Sequence, residues 1–243
     1  IEKSRKEEHW KEILRRMNKS EIAIITHYHY DHFNPFRNIE AYSGKLLLIK
    51  NPIENINRSQ KGRAKEFLSR VKKYAEEIIY ADNREFFVGN TRILFSKPVF
   101  HGKDSSLGYV IEVLIDDGDE RFIFTSDVQG PVSEDQLNFI LENEPNIVYL
   151  DGPITYIYHN ENEAKNYLDR SFRNILRILS LESLELLIID HHFLRDLNWS
   201  KIESNYLNME LRKKVMTVAE FTGKPIELLE ARRMDLWRNE KKA

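Results

Sequence analysis

Thr26-His27-Tyr28-His29-Tyr30-Asp31-His32 is the stretch that decides how this chain is read. Four residues able to ligate a metal fall within six positions, directly after the apolar run Ile22 to Thr26, and Asn34-Pro35 follows as a loop signal. Alternate residues of an extended segment share a face, so His27 and His29 can grip one ion while the turn that follows swings Asp31 and His32 toward a second. Imidazole nitrogen and carboxylate oxygen suit borderline ions such as zinc. A pair of metals about 3.5–4 Å apart can polarise a substrate and generate hydroxide near neutral pH. A lone histidine is ordinarily structural, and four ligand types in six residues can also arise as a solvated turn. His101 after Pro98-Val99-Phe100, Asp127 after Thr125-Ser126, and His191-His192 just beyond Leu186 to Ile189 lie at or beyond the ends of apolar runs in the same way, which favours a metal site over that plainer reading.

Composition narrows the chemistry. The 243 residues are 41% hydrophobic and 31% charged, enough apolar surface for a sizeable core and far from the disordered class. With 37 basic and 39 acidic residues nearly cancelling, no global field marks a nucleic-acid coat or a membrane-surface protein. The absence of cysteine removes disulfides, thiolate zinc sites, iron–sulfur clusters and cysteine nucleophiles, so a metal must sit on His, Asp or Glu. Apolar runs are only a few residues long against the roughly 20 that cross a bilayer, and Ile1 to Arg16 is charged throughout, unlike a signal peptide. A cytoplasmic protein without a membrane partner is the expectation. Abundant Glu, Lys, Arg and Ile resembles heat-adapted composition.

Along the chain, Trp10, Ile13, Leu14 and Met17 recur at helical spacing before the first strand, Ile22 to Thr26. A strand over Lys45 to Lys50 precedes a helix from about Ser59 to Glu77. Short β pieces follow to Val99, then strands Tyr109 to Ile115 and Arg121 to Thr125 around the turn Asp116-Asp117-Gly118-Asp119. After Asp127 the pattern alternates: helix Ser133 to Leu141, strand Ile147 to Leu150, helix Glu161 to Leu179, strand Leu184 to Asp190. The last fifty residues read as mostly helix, with Val215, Val218 and Phe221 on one face and Gly223 as a stop. No repeat or linker divides the chain, so residues 1–243 are expected to form one domain. Arg58 to Lys73 carries seven basic residues and one acid. A basic helix beside a metal centre can receive phosphates or a nucleic-acid strand, although such a run is more often a solvated face. Lys103 and Ser105-Ser106 are either substrate contacts or ordinary loop polarity. Tyr28 and Tyr30 are expected to pack rather than react, and His9 and His159 to be ordinary surface or cap residues.

The His27-x-His29-x-Asp31-His32 motif and the order of the later partners resemble the metallo-β-lactamase superfamily. The stretches Asn51-Pro52 to Ser59-Gln60 and His191-His192 to Arg195-Asp196 look like an uncharacterised, mainly archaeal branch of predicted metal-dependent hydrolases. The resemblance implies an α/β four-layer αββα sandwich. It assigns His27, His29 and His101 to one metal, Asp31, His32 and one of the final histidine pair to the other, and Asp127 between them. His191 is preferred over His192 because it follows the strand directly and has Arg195 four residues on, as in the ribonuclease Z-like branch. By the same likeness, Asp151 would orient that last histidine by accepting its other N–H. Since the family fold normally opens with strands ahead of the motif, and this chain opens at Ile1 in a helical pattern, N-terminal strands are expected to be missing; an unpaired sheet edge or an exposed apolar surface should mark their place.

The implied activity is hydrolysis by a metal-bound hydroxide at a binuclear centre of two divalent cations, zinc first, with iron and manganese as alternatives. Asp31, Asp151 and His192 complete the catalytic set, His192 or a metal-bound water serving as proton donor to the leaving group. A small-molecule or nucleic-acid phosphoester is the leading substrate; an ester, lactone or thioester, or a non-catalytic protein with a vestigial site, are the alternatives. A diiron redox relative is disfavoured because His29 stands where those proteins usually carry glutamate, and no flavin domain follows.

Overall fold

The computed structural model describes residues 1–156 and 161–240. Helix α1 (Glu2–Met17) leads into strand β1 (Ile22–Ile25), which pairs in parallel with β2 (Leu46–Ile49). Helix α2 (Arg58–Val71), started by Asn57 accepting from the Gln60 N–H, crosses back to β3 (Glu77–Tyr80), and the three strands form a parallel sheet in the order β1-β2-β3. The side chains alternate as the pleat requires. Ile25, Leu47 and Ile49 pack on Ala64, Phe67 and Val71 of α2, while Ile22, Ile24, Leu46 and Leu48 face the other way.

Strands β4 (Glu85–Val88) and β5 (Thr91–Phe95) open a second sheet, and β6 (Val99–Phe100) and β7 (Tyr109–Val110) form a short separate hairpin pair. Strand β8 (Val113–Asp116) pairs with β5 and turns through Gly118 (φ 94°) into β9 (Arg121–Phe124). Helix α3 (Glu134–Asn143), opened by a Ser133/Gln136 capping box, leads to β10 (Ile147–Asp151), and α4 (Glu161–Leu179) leads to β11 (Leu186–Asp190). Helices α5 (Trp199–Tyr206) and α6 (Met209–Arg212) come before strand β12 (Val215–Met216), and α7 (Val218–Phe221) and α8 (Arg233–Glu240) follow it. The seven-stranded order is β12-β11-β10-β9-β8-β5-β4, antiparallel from β4 to β9 and parallel from β9 to β12.

The two sheets meet through Leu48, Ile93, Phe95, Ile111 and Val113, with Ile22, Ile24, Ile79 and Phe124 packed against them. The far face of the second sheet buries Leu114, Ile123, Val148, Leu150 and Leu187 against Leu137 and Ile140 of α3 and Phe172, Ile175 and Ile178 of α4. Helix, sheet, sheet, helix is the four-layer sandwich expected. Each fully buried side chain of this size contributes about 1.5–3 kcal/mol.

Three boundaries differ from the sequence pattern. The second helix stops at Val71 rather than Glu77, because Tyr74 O accepts from Gly44 N and Glu76 N donates to Lys45 O, turning the chain into β3 despite a pattern that runs on to Ala75. The single strand expected from Tyr109 to Ile115 splits at Ile111 and Glu112, where the partner changes: Ile111 N donates to Thr26 O and Glu112 O accepts from Ser96 N. Val215 is not on a helix face; it pairs with Leu187 as part of β12, and a Thr217/Glu220 capping box starts α7 only afterwards. Among the described residues the outer edge of β1 has no strand partner, and a groove of about 1030 Å³ runs beside it, lined in part by Trp10, Ile13 and Met17 of α1 and by Ile22, Ile24 and Phe33. An unpaired edge and an apolar groove thus coincide where the first motif begins. No helix among the described residues is long and apolar enough to cross a membrane.

Candidate metal centre

The motif loop is fixed from below. Ile25 O accepts from Lys50 N, Thr26 O accepts from Ile111 N, and the buried Tyr28 hydroxyl donates to Lys50 O at 2.5 Å. The Lys50 ammonium is itself buried, 2.5 Å from Asp82 Oδ1 and within hydrogen-bond distance of the Asn51 and Glu54 carbonyls. That arrangement ties the ends of β1, β2 and β3 together beneath the histidines. His32 N donates to His29 O, and this turn carries Asp31 and His32 away from the line of His27 and His29.

The side chains converge on one carboxylate oxygen. Asp127 Oδ2 lies 3.0 Å from His32 Nε2, 3.3 Å from His101 Nε2, 3.5 Å from His27 Nε2 and 3.6 Å from His191 Nε2. Among the described residues, none of these four buried nitrogens makes a well-aligned hydrogen bond; all four crowd the one carboxylate oxygen. Ligand atoms of His27, His29, His101 and Asp127 fall within 4.8 Å of one another, as do those of Asp31, His32 and His191, and those of Asp127, His191 and His192. The expected convergence of His27, His29, Asp31, His32, His101 and Asp127 is therefore present.

The surroundings set the protonation. Burial pushes His27 down to about 4 and His29 down to about 3, so both are neutral lone-pair donors at ordinary pH. Burial also acts to lower His191, but the Asp127 carboxylate outweighs it and raises that imidazole to about 9. Asp127, although burial opposes its charge, is held well below the usual carboxylate range by His27, His101 and His191. His27 Nδ1 meets Ser126 Oγ at 3.1 Å, and that hydroxyl meets Thr26 Oγ1 at 2.7 Å, so Nε2 is the atom turned to Asp127. Ser126 (φ 57°) and His191 (φ 60°) both take the left-handed backbone that non-glycine residues rarely adopt, and each sits beside the cluster.

One sequence expectation is corrected. Asp151 does not orient His191; its carboxylate lies 2.9 Å from His192 Nδ1 and also accepts from His192 N and Gln129 N. The left-handed turn at His191 puts that ring beside His32 and sends the next one back over the end of β10. His9 is exposed on α1, and His159 lies outside the described residues. The sequence reading missed Ser126 and Lys50. A hydroxyl directly before Asp127 and a lysine closing an apolar strand were the available signals.

The relatives are consistent in kind. The UPF0282 protein of Korarchaeum cryptofilum is 50% identical over 235 residues, covering 96% of this chain and 78% of that one. The chain belongs to the UPF0282 family. A second UPF0282 protein, from Methanocaldococcus jannaschii, is 40% identical over 228 residues, covering 90% and 74%. No family model matches this UPF0282 chain. Among solved structures, the isothiocyanate hydrolase from Delia radicum gut bacteria superposes with a TM-score of 0.52 at 15% identity, over 84% of this chain and 76% of that one. The metallo-beta-lactamase fold protein YhfI from Bacillus subtilis gives 0.47 at 15% identity, over 79% and 74%. This UPF0282 protein has the metallo-β-lactamase fold, and its His/Asp cluster brings together side chains able to hold divalent metal.

Proposed function

We propose that this UPF0282 protein is a binuclear metal-dependent hydrolase of phosphoesters, built as one domain over residues 1–243. The observation that carries the reading is the set of four buried imidazole nitrogens crowded around one oxygen of Asp127 without a well-aligned hydrogen bond among the described residues. One carboxylate oxygen cannot satisfy four buried imidazoles at once, and a buried polar atom left without a partner costs about 1–3 kcal/mol, so the cluster is explained by cations that use the lone pairs. His27, His29 and His101 would hold one cation, Asp31, His32 and His191 the other, with Asp127 shared; zinc is the first candidate, then iron and manganese. Two divalent cations supply Lewis acidity toward an ester oxygen and make water acidic near neutral pH.

The chain's own residues do the rest. Ser126 fixes the His27 ring, and Asp151 fixes His192 through Nδ1, leaving His192 Nε2 to hold a proton for the leaving group. Asp31, half exposed, stands at the mouth with Arg195 Nη2 3.7 Å away. Donors come from the ends of strands in both sheets, which supports a single domain. The basic helix α2 beside the motif loop favours a phosphoester over a neutral ester.

Metal analysis of protein purified without added metal, followed by a screen of phosphodiester, phosphomonoester, lactone and thioester substrates, tests the proposal. Two metals per chain and phosphodiester turnover are expected. Protein that binds no metal and whose melting ignores added metal would instead be a vestigial relative, and lactone or thioester turnover alone would move the substrate class.

A further inference from the structure

Helix α2 is held rigidly against the centre at both sides. Asn57 Nδ2 donates to Ser106 O and Gln60 Nε2 to Leu107 O, binding its first turn to the loop after His101. Gly108 makes that contact close: a Cβ there would lie 2.8 Å from Gln60 Nε2. From the other flank, Arg63 Nη1 reaches Tyr28 O at 3.4 Å, and the Arg63 guanidinium lies 4.9 Å from the centre of the Tyr30 ring. Tyr28 and Tyr30 bracket His29, so this cation is pinned at the rim of the metal cluster by the two residues on either side of a proposed ligand.

Arg63 has no carboxylate within ion-pairing distance among the described residues, and it is half-buried. Its neighbour on the same flank, Arg70, is paired with Glu66 at 2.9 Å, and Glu66 also receives the Tyr30 hydroxyl. A stacked guanidinium keeps its planar fork of donors, and among the described residues one of the five N–H groups is engaged, at 3.4 Å. The lysines of α2 do not extend this position. Lys61 and Lys65 are each two residues from Arg63, about 200° around the helix, and both are exposed on the side away from Tyr30.

We propose that Arg63 is the anion-recognition residue of the centre, receiving a negatively charged oxygen of a compact phosphoester, and that α2 is not a track for a nucleic-acid strand. This rests on the phosphoester reading above but is tested separately from it. Inorganic phosphate is titrated by calorimetry into metal-loaded protein, and kinetics are measured with bis(p-nitrophenyl) phosphate and with the neutral ester p-nitrophenyl acetate.

Expected for Arg63→Gln is phosphate binding at least tenfold weaker, with a matching rise in KM for the diester, kcat within threefold, and no change for the acetate. Arg63→Lys should recover part of the loss, because it keeps charge without the fork. If the parent binds phosphate and Arg63→Gln binds it equally, the inference fails while the phosphoester reading stands. If phosphate binding depends on Arg63 but only the acetate is turned over, the phosphoester reading fails and the anion subsite stands. A parent that binds no phosphate overturns the inference whatever it hydrolyses. Oligonucleotide binding abolished by Lys61→Glu with Lys65→Glu, yet untouched by Arg63→Gln, overturns the compact-ligand assignment.

Discussion

Asp151→Asn removes a buried charge whose every contact is visible. The carboxylate accepts from Gln129 N at 2.8 Å and from His192 N at 3.1 Å, and lies 2.9 Å from His192 Nδ1, with the residue 2% exposed. An asparagine offers one oxygen and sets an NH2 group against at least one of these donors. Hydrogen bonds to a charged acceptor are worth about 1.5–3 kcal/mol against about 0.5–1.5 for neutral ones, and a buried donor left without a partner costs about 1–3 kcal/mol. Losing the charge from two bonds and the partner from a third sums to roughly 3–5 kcal/mol. At about 2–4 °C per kcal/mol for a chain of this size, Tm should fall by roughly 6–20 °C. Scanning calorimetry on chelator-treated protein isolates this from metal effects. Turnover should fall about 10–100-fold as His192 loses its fixed orientation, with both metals retained. A Tm within about 2 °C of the parent would refute the accounting, and loss of one metal would make His192 a ligand and reverse its assignment as proton donor.

Three further outcomes are expected. Asp127→Ala should lose metal and activity together, measured by elemental analysis and diester turnover, because neutral imidazoles cannot offset the charge of two cations. Chelation of the parent should lower Tm, and divalent metal at about 100 times its Kd should restore about 2.7 kcal/mol, seen as a Tm that climbs with metal concentration. Metal binding at Asp31, His32 and His191 should weaken as pH falls below about 9, since burial disfavours but Asp127 more strongly favours a proton on His191 that the cation must displace. Proton release in calorimetry with buffers of different ionisation heat measures it. In metal-free protein the same shift stabilises the fold fully below the ordinary value of 6.5 and is lost as pH rises through about 9.

The strands and the donors they carry were legible because both rest on local patterns. Runs such as Leu46 to Ile49 and Leu186 to Ile189 are apolar through and through, and a ligand just past the end of such a run is placed by the strand itself. What stayed hidden depends on contacts across the chain. The end of α2 is set by Gly44 and Lys45, β12 by pairing with β11, and the Asp151 contact by a left-handed His191 that no periodicity announces. Arg63 could be seen only as part of a charge run, since its lack of a carboxylate partner is a property of the packed molecule.

The donors around Asp127 Oδ2 arrive along the chain in a fixed order: His27 and His32, then His101, then Asp127 itself, and His191 last. During synthesis, the group of His27, His29, His101 and Asp127 is complete once Asp127 has emerged, whereas that of Asp31, His32 and His191 waits for some sixty residues more. On the proposed binuclear reading, a nascent chain would be able to meet its first cation before its second. Occupation of the first position would clamp the end of β1 to the loop after β9 while α4 and β11 are still unmade, and metal supply would then bear on the yield of folded protein as well as on the proposed activity.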